Sequence, residues 1–137
     1  MAIVEGAQHL LHSLAATGAE IAVLEVADGL FQSETAALAK SPEFRKLSGG
    51  VLFAAGDAMG AVAGCERLRE LGYDVLGLSG LLTCSPLARR EAGAANVPVY
   101  GVKELTDPAT AASIVSGILN PRLMVIAGGT QCLYQES

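Results

Sequence analysis

The chain has 137 residues, half of them hydrophobic but only 4% aromatic, and its 9 basic against 14 acidic side chains give a net charge of −5. That length suits a single domain over residues 1–137, able to bury roughly two-thirds of its unfolded surface, while the acidic balance, with no basic stripe, argues against a nucleic-acid partner. No apolar run approaches the roughly 20 residues of a membrane span, and Cys65, Cys84 and Cys132 lie too far apart for a zinc knuckle or disulfide framework, so three reduced thiols and a cytoplasmic location are expected.

Ile3, Ala7, Leu10, Leu11 and Leu14 recur at helical spacing and predict an opening amphipathic helix that stops near Gly18. Ile21 to Ala27 then reads as a strand that breaks into Asp28 and Gly29. Ser33 is expected to cap a short helix through Lys40, and Ser41-Pro42 marks a second start, Ser as the cap and Pro in the first helical position. Val51 to Ala55 forms a second strand, turned by Gly56-Asp57-Ala58-Met59-Gly60 into a helix that runs to about Leu71 and ends at Gly72.

Val75 to Leu78 predicts a third strand, closed by Ser79 and Gly80, and Ser85-Pro86 opens a helix toward Ala95. Val97 to Tyr100 reads as a fourth strand, with Pro98 favouring an edge or a strand start because it has no N–H to donate. Asp107-Pro108 begins a helix with Ala112, Val115, Ile118 and Leu119 on one face, ended by Asn120-Pro121. Leu123 to Ala127 supplies a candidate fifth strand, and residues 128–137 read as a frayed or partner-dependent tail. Alternating strands and helices predict an α/β fold: a mainly parallel sheet of four to five strands with helices on both faces, Rossmann-like and three-layered.

In such a sheet ligands bind beyond the carboxyl ends of the strands. Glu25, on a strand expected to be buried on both faces, must find a cation, find hydrogen-bond donors or hold a proton. Magnesium is one solution, with Asp28, Gln32 and Glu34 as further oxygen ligands; satisfaction by backbone donors or an Arg is the other, and turn formation and helix-end charge also account for Asp28 and Glu34. Gly56, Asp57 and Gly60 lie where a helix N-terminus can receive an anion, although Asp57 would repel it and Gly60 and Gly64 also suit close packing of the helix on the sheet. Ser79, Gly80, Thr83, Cys84 and Ser85 make a small polar loop fit to line a metabolite pocket. Cys84 has no neighbouring base in sequence to activate it, and Glu5, His9 and His12 share a helical face that reads as solvated rather than metal-binding.

Glu25-Val26-Ala27-Asp28-Gly29-Leu30, Val51-Leu52-Phe53-Ala54 with Gly60 beginning a helix, Asp74-Val75-Leu76-Gly77-Leu78 and Val97-Pro98-Val99-Tyr100-Gly101 together resemble the carboxyl-terminal half of a P-loop ATPase of the dethiobiotin synthetase and cobyrinic acid amide synthetase class. The resemblance covers roughly residues 20 to 105. It implies a truncated P-loop NTPase-like fold and a magnesium-holding role for Glu25. Val26 and Asp28 depart from the glycines of the class's E-G-A-G-G run, and the phosphate loop ending in Lys and Ser or Thr occurs nowhere in the chain. ATP hydrolysis by the isolated chain is therefore not expected. The missing neighbouring strand would leave an open sheet edge, which predicts a homodimer. Three functions follow: a binding or assembly domain without catalysis or cofactor; a magnesium- and ATP-dependent half-enzyme completed by a P-loop-bearing partner; or a small-metabolite binder at Ser79 to Ser85.

Overall fold

Helix starts follow the capping residues. In the computed structural model, which describes residues 2–119, Ser41 accepts from the Phe44 N–H at 3.2 Å, Ser85 from Ala88 at 3.2 Å, Asp107 from Thr110 at 2.9 Å and Asp57 from Gly60 at 2.7 Å. Each bond satisfies a backbone donor that the first helical turn leaves without an internal partner. The resulting order is α1 (Ala2–Ala16), α2 (Ser33–Lys40), α3 (Pro42–Leu47), β1 (Val51–Ala54), α4 (Ala58–Glu70), β2 (Val75–Ser79), α5 (Pro86–Glu91), α6 (Val102–Leu105) and α7 (Pro108–Leu119), with 3-10 turns at Leu81–Cys84 and Ala92–Ala95. The cap of α2 is Gln32 rather than Ser33: its side-chain oxygen accepts from the Glu34 and Thr35 N–H groups at 2.9 and 3.0 Å.

β1 and β2 pair in parallel, Leu52 opposite Gly77, Phe53 opposite Leu78 and Ala54 opposite Ser79, with one extra residue of β2 accommodated between Val75 and Gly77. α4 covers the face that carries Phe53. Gly64 is required there, because the Phe53 ring occupies the space a Cβ would take. Ala61, Cys65 and Leu68 of α4 pack with Val75, Leu78, Leu82, Ala92 and Ala95 into the main core, and this burial pushes the Cys65 thiol above its ordinary pKa, against a smaller opposing pull from Arg69. A second cluster, Val4, Ala7 and Leu38, joins α1 to α2, and Phe44 packs against both. The Tyr73 hydroxyl donates to the Ala39 carbonyl at 3.0 Å, tying α2 to the main core.

The four- to five-stranded sheet is not formed. Among the described residues the chain is mostly helical with a two-stranded parallel sheet, which is neither Rossmann-like nor P-loop NTPase-like. Residues 21–27 have no regular secondary structure, and Val23 is 95% exposed: an apolar run becomes a strand only when another strand accepts its backbone bonds. The expected fourth strand contributes a single parallel bridge between Leu78 and Val99, through Leu78 N to Pro98 O and Tyr100 N to Leu78 O, both 2.8 Å. Pro98 has no N–H with which to extend it. The expected fifth strand, Leu123 to Ala127, the 128–137 tail and Cys132 lie outside the described residues.

Two helix faces also differ from expectation. α1 buries Val4 and Ala7 while Leu10 and Leu14 stay exposed, since only the amino-terminal half of that helix meets α2 and α3 with its apolar side. On α7, Ile114, Val115 and Ile118 are half-buried and Ala112 is exposed.

Candidate functional site

The carboxyl ends of both strands lie side by side, where a parallel sheet places its ligands. The Ala55 N–H donates to Ser79 O at 3.0 Å and Leu82 N–H to Ala55 O at 3.1 Å, so the Gly56-Asp57 turn and the Ser79-to-Thr83 loop are held together by main-chain bonds. Thr83 closes that loop on Gly80, its N–H and hydroxyl both donating to Gly80 O at 3.0 and 2.7 Å. Of the residues singled out from sequence, Gly56, Asp57, Gly60, Ser79, Gly80 and Thr83 therefore gather at one end of the sheet. The Asp57 carboxylate occupies the α4 N-terminus and takes the Gly60 N–H, placing a negative charge where an incoming phosphate would bind. Met59 and Leu81 beside these turns are largely exposed.

Asp57→Ala removes that cap and is expected to cost about 1 kcal/mol of stability. Urea unfolding monitored by circular dichroism measures it, and a cost near zero would mean that Asp57 does not hold the helix start.

Glu25 and Asp28 are placed elsewhere. Both are exposed, so the double-sided burial expected of Glu25 does not occur. Residues 21–27 pass over α1 and α2 without regular secondary structure, Leu24 resting on the Val4, Ala7 and Leu38 cluster and the Ala27 carbonyl accepting from the Thr35 hydroxyl at 3.1 Å. Asp28 adopts a left-handed conformation, φ 69°, a region that Asp tolerates better than most residues. Glu25, Asp28, Gln32 and Glu34 do line one open groove of about 490 Å³. Glu34 is held below the usual carboxylate range, first by the Ser33 hydroxyl and then by its own backbone N–H and the Gln32 amide. No group of three His, Cys, Asp or Glu side chains able to hold a metal ion is found among the described residues; Glu5, His9 and His12 likewise make no such group, and the His12 ring bonds to Gln8 O at 2.8 Å within its own helix.

Two features were not anticipated. A broader cleft of about 720 Å³ opens between α1, α2 and the start of α3, with Lys40 and Glu43 on its lining. Arg89 on α5 reaches Val99 O at 2.9 Å and pairs with Glu104, which in turn accepts the Gly101 N–H at 3.0 Å. The Arg89 guanidinium, ahead of the helix-start N–H groups, holds the Glu104 carboxyl below its ordinary range. The Glu at the third position after Gly101 is the readable signal for this clamp, being half of a capping box.

Among the described residues, fold and site together define a small helix-rich unit around one parallel strand pair. No protein-family model, curated protein or solved structure matches the chain.

Proposed function

We propose that this chain is a non-catalytic assembly module, acting by association with protein surface rather than by turnover of a substrate. The observation that carries the reading is the segment Ile21 to Phe31. It is mostly apolar and has no regular secondary structure over residues 21–27, among the described residues its main chain joins no ladder, and Val23 and Phe31 are 95% and 85% exposed. An unladdered apolar segment of this kind is suited to strand addition by a partner, which supplies main-chain bonds and covers alternate side chains together. The engagement of Asp57, Gln32 and Thr83 in helix caps and turns supports the same reading, because it gives each of these polar side chains a structural role.

No helix among the described residues is long and apolar enough to cross a membrane. The cytoplasm is the proposed location, supported by the free thiols of Cys65 and Cys84.

The test pairs light scattering with an ATPase assay on the purified chain. At micromolar concentration the expected species is larger than the 14.0 kDa chain, with no magnesium-dependent ATP turnover above the blank. A monomer that hydrolyses ATP would sink the reading.

A further inference from the structure

We propose that two copies of this chain join through the outer edge of β1, which continues the sheet across a two-fold axis as β2–β1–β1–β2. The inference rests on the assembly reading above and adds to it a surface separate from the Ile21 to Phe31 segment. β1 has β2 on one side, and among the described residues its other edge has no strand. Val51 N–H donates to Asp74 O at 2.8 Å and Ala55 N–H to Ser79 O at 3.0 Å, so the odd-numbered residues address β2. By strand alternation, the N–H and C=O groups of Leu52 and Ala54 address the open edge. The same two residues have exposed side chains, Leu52 at 43%, on the face opposite α4. Parallel sheets are normally covered on both faces.

The second copy is the favoured occupant on charge. Pairing a strand with itself across a two-fold axis sets each residue against its own neighbourhood, so any charge in the strand meets its like, which destabilises. Leu47 to Gly56 contains none, in a chain whose net charge is −5. Edge strands that must stay alone carry a Lys, a Pro, an inward charge or a bulge. β1 has no such side chain, and the irregular register places its extra residue in β2. Residues that oppose each other must also point to the same face, and a slip of one position would break this. An axis centred on Phe53 meets this condition and keeps Val51 to Ala54 paired. Leu52 then faces Ala54 of the second copy in a pair exchanging two hydrogen bonds, and the two Leu52 side chains sit on a diagonal of roughly 7 Å.

Sedimentation velocity and hydrogen exchange test this together. Wild-type chain at micromolar concentration is expected to sediment as two copies. Leu52→Lys and Leu52→Glu alone should each weaken self-association by about tenfold or more, and an equimolar mixture of the two should restore a two-copy species, because unlike charges then meet on the diagonal. In the unmutated protein, exchange of the Leu52 and Ala54 amides should slow as concentration rises, a readout that survives if either variant fails to fold. If the wild type is a dimer, but both variants dimerise unchanged or the two amides exchange at a rate independent of concentration, this surface is overturned while the assembly reading stands. A wild-type chain that is monomeric and binds no protein overturns both.

Discussion

Gly80→Ala is expected to destabilise the chain by about 3 kcal/mol, because backbone strain and a main-chain clash act at the same position. Gly80 has φ 95° and ψ −166°, a region essentially reserved for glycine. A Cβ there would lie 2.7 Å from Ala55 O and 2.8 Å from Ala55 N. Neither atom can swing aside as a side chain would: Ala55 O accepts from Leu82 N and Ala55 N donates to Ser79 O, so yielding to the methyl group breaks the bonds that close the strand ends together. Gly56→Ala is the control, one turn away with nothing within 4 Å of the added atom, and should stay within about 0.5 kcal/mol of wild type. Chemical denaturation of the three proteins decides the matter. A Gly80→Ala protein as stable as Gly56→Ala would mean that the two turns are not in contact.

Local chemistry was legible wherever a few adjacent residues settle the outcome. Ser41-Pro42, Ser85-Pro86 and Asp107-Pro108 begin helices as expected, and α4 stops at Glu70, just ahead of Gly72, whose φ is 85°. These outcomes need only a cap oxygen, a proline ring or a glycine within one turn. The sheet was much less legible, because strand formation depends on a partner distant in sequence. Ile21 to Ala27, broken by Glu25, and Val51 to Ala54 both read as strands, yet β1 pairs with β2 and the earlier run pairs with no strand among the described residues. Hydrophobic pattern describes what a segment can bury, and carries no information on whether a neighbour is present to receive its N–H groups.

The same limit explains the candidate site. The expected burial of Glu25 followed entirely from its expected place in a sheet, and with the strand absent the carboxylate lies in solvent. The grouping of Gly56, Asp57 and Gly60 with Ser79, Gly80 and Thr83 was readable because each set directly follows a strand that does form. The capping role of Asp57 was not read from sequence and is shown by geometry: at 2.7 Å from the Gly60 N–H, the carboxylate is itself the ligand of the helix end. The Arg89 link to Val99 O and Glu104 spans residues too far apart for any local signal beyond the capping-box glutamate.

Leu78→Ala should cost about 3 kcal/mol, within the usual span for a buried leucine whose surroundings relax only in part. Leu78 is 0% exposed and sits where every layer of the main core meets: opposite Phe53 in β1, in the same core as Cys65 of α4, and flanked by Val99 across the isolated bridge. Its main chain donates to Pro98 O and accepts from Tyr100 N, so the backbone at this point is tied to the 98–100 segment and cannot collapse readily into the space left by three lost carbons. Leu78→Met, which keeps the volume, should cost less than about 1.5 kcal/mol. Urea midpoints with an unchanged slope would assign the loss to the folded core rather than to the unfolded chain. Since a typical domain has only about 5–15 kcal/mol in hand, the alanine variant removes a large share of the margin from the strand pair that presents the β1 edge. Self-association should weaken with it, through loss of the folded edge and with no change at the edge itself. A Leu78→Ala protein that lost less than about 1 kcal/mol would show that the β1–β2 pair does not organise this core.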